Sequence, residues 1–258
     1  SRIFFKSGLF VVGPESSSAH PGPVCYRKDG YLAITDCNLV LGRVLPDYFP
    51  KIFGKNEDQP LAADLSQQAL QELAQQINAY YAAQPDAQDF KPLSVDEVAY
   101  GFIRVANEAM CRPIRNITEA KGYEPATHVL SVFGGAGPQH ACAIARSLGM
   151  KQIFVPRFAS ILSAYGIGLA DVVFEEQMPC HDEYDESVLS SVHTKLEELE
   201  KVVLSQFDKK AGLKVQVKHY LNLRYDGTDT AMMIERTPES NYLEQFEENY
   251  KREYGFLL

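Results

Sequence analysis

Residues 128–155 read HVLSVFGGAGPQHACAIARSLGMKQIFV, and this stretch decides the fold. It begins with a short apolar run and continues through a glycine turn, FGGAGPQH, at residues 133–140. A helical pattern over 139–148 follows and is ended by Gly149, and a second apolar run occupies 152–155. A strand, a helix and a strand of these lengths predict an α/β fold and not an all-β one.

The glycine turn is consistent with a ligand site and with a purely structural tight turn. Gly134, Gly135 and Gly137 allow close approach of the backbone, and Pro138 suits the first position of a helix. The N–H groups at such a helix start favour negative charge. The turn fits neither standard phosphate fingerprint, because His140 replaces the third Gly or Ala of a dinucleotide loop and no Gly-Lys-Ser/Thr follows. The residues alone leave both interpretations open.

Composition excludes several classes of function. A chain of 258 residues is long enough for one large domain or two small ones. Its net charge of −9 argues against nucleic-acid and anionic membrane partners, because both need clustered Lys and Arg. No apolar run approaches a membrane span, and the first residues lack the pattern of a signal peptide. The apolar segments at both ends indicate a piece of a larger polypeptide.

Cysteine usage indicates a cytoplasmic protein without a metal site. The five cysteines are an odd number, and no two form a C-x-x-C pair. Reduced thiols are therefore expected instead of a disulfide framework or a zinc ribbon. We expect no metal to be bound by His or Cys of this chain.

Periodicity divides the chain into two regions, residues 1–175 and 176–258. In the first region we expect strands at 3–5, 9–12 and 31–35, and helices at 64–83, from a capping box at Ser94–Glu97 to Gly122 with a kink at Pro113, and at 160–170. In the second we expect a helix, a β-hairpin and a helix, at 186–210, 214–235 and 240–254.

Polar residues outside the turn offer further candidates. Asp36 follows the predicted strand at 31–35, where a carboxylate can orient a water or a metal, but its spacing favours a helix N-cap. Asn38 is a candidate polar group of a cleft. His140, on the first turn of the helix, is as consistent with a buried structural histidine as with a ligand contact.

A stripe of charged residues follows one predicted helix at mostly i,i+4 spacing. Such a stripe is typical of a solvated, ion-paired face, and we favour that interpretation over an anion site. Its members are Arg104, Glu108, Arg112 and Arg115.

Six motifs together resemble one family. They are VGPES at 12–16, AHPGPVCYR at 19–27, TDCNLVLGR at 35–43, VANEAM at 105–110, the glycine turn, and LSAYG at 162–166. The combination resembles the hydantoinase A/oxoprolinase family. Within that family, CRPIR at 111–115 and RYDGTD at 224–229 are similar to the eukaryotic-type ATP-dependent 5-oxoprolinases.

The resemblance implies a fold and an activity. The family's A region is similar to the actin/Hsp70/sugar-kinase ATPases, in which two ribonuclease H-like lobes enclose a nucleotide cleft, and residues 1–175 would belong to the second lobe. ATP and Mg²⁺ phosphorylate the carbonyl oxygen of a lactam or ketone, and a separate B region completes the chemistry. For a 5-oxoprolinase, 5-oxo-L-proline, ATP and water give L-glutamate, ADP and phosphate in glutathione turnover.

The resemblance also implies site residues. The family's adenosine-contacting turn matches Phe133, Gly134, Gly135, Ala136 and Gly137. Asn38 and His140 would be further polar groups of the cleft, and Asp36 a candidate catalytic carboxylate. No residue of this chain is assigned to a metal.

One departure from the superfamily limits what this chain does alone. The Asp-Gly-Gly-Thr-type phosphate loops are absent, so we expect the adenosine side of the cleft only and an inactive fragment. Its partners would be other regions of the same polypeptide or other subunits of a cytoplasmic homo-oligomer that takes a small lactam substrate. Two alternatives stay open: a related hydantoinase or ketone carboxylase, and a non-catalytic interaction scaffold.

Overall fold

The computed structural model describes residues 1–85, 87–185, 187–207, 214–235, 237 and 241–258. The chain divides into two compact units, residues 1–168 and 169–258. This boundary lies seven residues before the predicted division after residue 175. Among the described residues, no helix is both long and apolar enough to cross a membrane.

The first unit combines short strands with long helices, and α/β is its fold class. Strands β1 (Ile3–Lys6) and β2 (Leu9–Val12) pair antiparallel. Three helices follow: α1 (Ile34–Val40), α2 (Ala63–Ala82) and α3 (Val95–Thr118). The predicted strand–helix–strand is then formed by β3 (Val129–Ser131), α4 (Gly137–Ser147) and β4 (Gln152–Phe154), and α5 (Leu162–Leu169) comes after it. Strands β3 and β4 pair in parallel, with Leu130 opposite Ile153.

Helix α3 joins two of the three hydrophobic clusters described in this unit. The predicted capping box starts it: Ser94 Oγ accepts from the Glu97 N–H at 3.2 Å, and the Glu97 carboxylate accepts from the Ser94 N–H at 2.8 Å. Its first half packs against α1, α2 and β2 around buried Leu70, Ile77, Val98, Phe102 and Ile103. Its second half packs against α4 through Cys111, Ile144 and Leu148. The helix that follows the glycine turn is therefore fixed to the same scaffold as α1.

The structure corrects three local predictions. The predicted strand at 31–35 is wrong, because α1 already begins at Ile34 and only isolated bridges form before it. Helix α4 begins at Gly137, so Pro138 is its second residue and not its first. Helix α3 contains Pro113 and ends at Thr118, and Gly122, with φ +80°, closes the short 3₁₀ turn that follows.

The second unit contains two helices and an antiparallel strand pair. These are α6 (Leu189–Gln206), β5 (Tyr220–Leu223), β6 (Met232–Glu235) and α7 (Tyr242–Tyr254). Its core is built from Ile234, Tyr242, Phe246 and Tyr250. The strand expected from residue 214 is shorter than predicted. Residues 186, 208–210 and 240 of the predicted helices lie outside the described residues.

Candidate functional site

The glycine turn is anchored at its base by backbone hydrogen bonds. The Val132 N–H donates to the Phe154 carbonyl at 2.9 Å, which extends the β3–β4 ladder by one step. The Gly134 N–H donates to the Ala159 carbonyl at 2.7 Å. Gly134 has φ +82°, a conformation that a side chain opposes, so glycine is required there by the backbone. The turn is thus a fixed loop and not a slack connection.

The tip of the turn is open. A Cβ at Gly135 would meet no atom within 4 Å, and the φ of this residue is not positive. Within the described part of the chain, the N–H groups of Gly135, Ala136 and Gly137 donate to no protein acceptor. Phe133 exposes 56% of its surface beside them. Three N–H groups without a protein acceptor therefore lie at a helix start next to an exposed aromatic ring, which suits an electron-rich ligand.

Gly137 has a different reason for being glycine. A Cβ there would lie 2.8 Å from Val132 Cγ1, closer than carbon atoms pack. The close contact brings the start of α4 against the end of the β3 ladder. Close packing accounts for Gly137, and the backbone angle accounts for Gly134, but no contact within the described chain accounts for Gly135.

His140 links three helices. Its Nδ1 donates to Asn107 Oδ1 of α3 at 2.8 Å, and its Nε2 accepts from Asn38 Nδ2 of α1 at 3.3 Å. The imidazole is buried, and burial lowers its pKa, with a further contribution from the positive charge of Arg43. His140 is therefore a neutral imidazole that fixes the first turn of α4 to α1 and α3.

Asn38 is buried with one polar atom unsatisfied. Only 1% of its surface is exposed, and its Oδ1 has no partner among the described residues. An unpaired buried carbonyl oxygen is uncommon, because losing its hydrogen bonds to water costs free energy. The predicted pair Asn38 and His140 is brought together, although their residues are 102 positions apart.

Asp36 lies apart from this pair. Its carboxylate accepts from the backbone N–H groups of Val24 (3.2 Å), Cys25 (2.9 Å) and Ala33 (2.9 Å), and from the Ser66 hydroxyl (2.7 Å). None of its surface is exposed. The predicted N-cap role of Asp36 is wrong, because the N-cap is Ala33 and Asp36 is the third residue of α1. Its carboxylate accepts from the Ala33 N–H, so it stabilises the helix start from inside the helix.

Two cysteines beside Asp36 are not available as nucleophiles. Burial, reinforced by the negative charge of Asp36, raises the pKa of the Cys25 and Cys37 thiols far above the usual range. Both thiols are fully buried. They are small apolar groups of the core.

The described residues provide no cluster for a metal ion, since no group of three or more His, Cys, Asp or Glu converges among them.

The charged stripe of α3 carries an ion pair, between Arg115 and Glu108 at 2.6 Å. This agrees with the interpretation of the stripe as a solvated face.

Asn107 is the functional candidate that sequence reasoning missed. It lies within the VANEAM motif at 105–110, so the motif was visible, but its partner His140 is 33 residues away along the chain. No local pattern pairs an asparagine on one helix with a histidine on another.

Comparison with known proteins identifies a matching family and similar relatives. The family model described as hydantoinase/oxoprolinase matches residues 1–176. The 5-oxoprolinase of Dictyostelium discoideum is 52% identical over 260 residues, which cover 100% of this chain and 20% of that protein. The chain thus spans about a fifth of the length of the curated relatives it matches first.

Two solved structures resemble the whole chain. The ATP-dependent caprolactamase from Pseudomonas jessenii aligns with a TM-score of 0.63 and 25% identity, over 96% of this chain and 35% of the caprolactamase chain. A nucleotide-free acetone carboxylase aligns with a TM-score of 0.63 and 26% identity, over 98% of this chain and 36% of its own.

Proposed function

The chain belongs to the hydantoinase/oxoprolinase family, and on that basis we propose that it forms part of an ATP-dependent 5-oxoprolinase. The 52% identity to the Dictyostelium 5-oxoprolinase, over the whole of this chain, supports the proposal. The reaction converts 5-oxo-L-proline, ATP and water to L-glutamate, ADP and phosphate. Because the chain spans a fifth of that relative, the activity belongs to a longer polypeptide.

Within that polypeptide, the glycine turn contacts the adenosine of the nucleotide. The observation that carries this proposal is Gly135, which neither its backbone angle nor its packing requires to be glycine. A ligand that approaches the backbone closely would supply the missing reason. The free N–H groups of Ala136 and Gly137 and the exposed Phe133 ring are suited to ribose oxygens and a purine face.

The residues of this chain position the nucleotide and do not react. When bound, ATP supplies a phosphoryl group for the carbonyl oxygen of the substrate. Gly134 sets the path of the turn, and His140, held by Asn38 and Asn107, fixes the helix behind it. Positioning of this kind is the main protein contribution to phosphoryl transfer. Asn38, with 1% of its surface exposed, is assigned the holding of His140 and not a contact with substrate.

No residue of this chain is assigned to Mg²⁺. We propose that the ligands of Mg²⁺ and of the phosphates come from other parts of the polypeptide. Asp36 is assigned a structural role, since four donors already surround its carboxylate and no surface is left for a substrate.

We also propose the fold and the cellular role of the parent protein, on the basis of the family resemblance. Residues 1–175 form part of the second lobe of an actin/Hsp70/sugar-kinase-like ATPase fold, and residues 176–258 form a following region. The parent protein is a cytoplasmic homo-oligomer of glutathione turnover. The likeness to caprolactamase and acetone carboxylase, at equal TM-scores, supports an ATP-dependent lactam or ketone enzyme as the second candidate.

The test is substrate turnover by the full-length polypeptide. ATP consumption is measured with 5-oxo-L-proline, caprolactam, hydantoin, or acetone with bicarbonate as substrate. Glutamate release is measured with 5-oxo-L-proline. The proposal expects ADP and glutamate in equal amounts with 5-oxo-L-proline. Turnover of another substrate in its place would favour the second candidate, and no ATP-dependent turnover of any would favour a non-catalytic scaffold.

A further inference from the structure

A cavity of about 350 Å³, open to the surface, lies along α4 and shares Pro138 and Gln139 with the end of the glycine turn. Four of its lining residues follow one another on α4 at helical spacing: Gln139, Cys142, Ala143 and Arg146. Arg43, from the loop after α1, also lines the cavity, and both Arg43 and Arg146 are exposed. The Arg43 N–H donates to the Asn38 carbonyl at 2.8 Å, so the loop is held by the residue that binds His140.

The charge of this cavity is positive and uncompensated. Two arginines line it, and no acidic residue does, although the chain has 34 Asp and Glu and a net charge of −9. Among the described residues, neither Arg43 nor Arg146 forms an ion pair, whereas Arg115 pairs with Glu108. Arg43 has one ring contact, with Tyr100 at 6.0 Å. Its charge also acts on His140, where it adds to burial in lowering the pKa.

We propose that this cavity binds an anionic oxygen group, a carboxylate or a phosphate, between Arg43 and Arg146. A guanidinium presents its N–H groups as a planar fork that matches both anions. The Gln139 amide adds a donor, since its one hydrogen bond is a long contact of 3.5 Å to the Gly135 carbonyl. Replacing this long hydrogen bond by one to an anion would therefore cost little free energy.

The source of the anion rests on the proposed function. 5-Oxo-L-proline carries a carboxylate, and ATP carries phosphates, so each substrate offers the required group. The cavity lies along α4, and α4 begins at the glycine turn. An anion bound there would therefore lie on the same helix as the proposed adenosine contact. The two sources are separated by which Michaelis constant changes.

The experiment compares full-length Arg43→Gln, Arg146→Gln and the double variant with the wild type. We expect the KM for one substrate to rise about tenfold or more, because a hydrogen bond to a charged group is lost while the cavity stays formed. A rise for 5-oxo-L-proline identifies the carboxylate, and a rise for ATP identifies the phosphate. Arg→Lys variants keep the charge but lose the fork, so they should recover only part of the affinity.

Arg112→Gln is the matched control, since Arg112 is an exposed arginine that does not line the cavity. Its two KM values should equal those of the wild type. Binding of 5-oxo-L-proline and of inorganic phosphate, measured by calorimetry, does not require turnover and so tests the site even if the proposed reaction is wrong. The inference is overturned if Arg43→Gln and Arg146→Gln, folded as the wild type by melting temperature, change neither KM and weaken neither binding.

Discussion

At the scale of single residues, the surroundings of Asp36 and Gly135 indicate roles that their residue types alone would not suggest. A carboxylate in a family motif invites a catalytic role, but four donors between 2.7 and 3.2 Å leave Asp36 no free acceptor and no exposed surface. A glycine invites a purely structural role, but Gly135 has open space and an unstrained backbone. The buried carboxylate therefore holds the fold, and we propose that the glycine contacts a ligand.

Asp36→Asn should destabilise the protein strongly. One amide oxygen cannot replace two carboxylate oxygens, so buried donors lose their acceptor at a cost of about 1–3 kcal/mol each. Ser66→Ala removes one of the four hydrogen bonds and should cost about 1 kcal/mol. Urea unfolding of the full-length protein measures both. A variant Asp36→Asn that is as stable as the wild type but inactive would show that Asp36 is catalytic after all.

At the scale of elements, local signals were sufficient wherever a few neighbouring residues decide the outcome. The Ser94–Glu97 capping box starts α3 as predicted, because both of its bonds join residues three positions apart. The predicted strand at 31–35 fails, because Asp36 accepts from Ala33 as well as from Val24 and Cys25 and turns the segment into the start of α1. Contacts from distant residues outweighed the strand propensity of Tyr31 to Thr35.

The candidate site follows the same rule. The turn and the start of α4 near Pro138 were predictable, because Gly and Pro act locally. The triad of Asn38, Asn107 and His140 was not, because it depends on how α1, α3 and α4 pack.

We predict that this triad makes the free energy of unfolding depend on pH. The pKa of His140 is held below its ordinary value of about 6.5 in the folded state. Below pH 6.5 the unfolded chain takes up a proton that the folded protein does not, so the free energy of unfolding falls until the folded pKa is reached. The slope is at most about 1.4 kcal/mol per pH unit, and the contribution is complete above pH 6.5.

The check is urea unfolding at pH 7.5 and 5.5 for the wild type, His140→Gln and His128→Gln. His140→Gln should lose this part of the pH dependence. His128 is exposed, so His128→Gln should keep it. Equal pH dependence in the wild type and His140→Gln would exclude a buried neutral His140.

At the scale of the whole molecule, the chain resembles part of a larger enzyme. It spans 20% of a 5-oxoprolinase and 35% of a caprolactamase chain of known structure. Strands β3 and β4 have only each other as partners among the described residues, and Val129 and Phe154 on them are about half exposed. Leu130 and Ile153 pack on the cluster between α3 and α4, so the exposed side chains lie on the opposite face of this sheet.

We predict that the 258-residue chain alone releases no glutamate from 5-oxo-L-proline and ATP, whereas the full-length polypeptide does. The reason is that phosphoryl transfer needs both sides of a cleft, and we propose that this chain supplies only the adenosine side. Glutamate and ADP release are measured for both proteins at equal molar concentration. Turnover by the isolated chain would refute the division of labour proposed here.

The most direct test of the central claim is the affinity of full-length Gly135→Val for ATP, measured by calorimetry. Gly166→Ala is the control, because a Cβ there also meets open space and the backbone is unstrained. If the turn contacts the nucleotide, Gly135→Val keeps the melting temperature of the wild type and loses at least tenfold in affinity, while Gly166→Ala keeps both. Unchanged affinity in a folded Gly135→Val protein would contradict the adenosine contact and leave the glycine turn a structural feature.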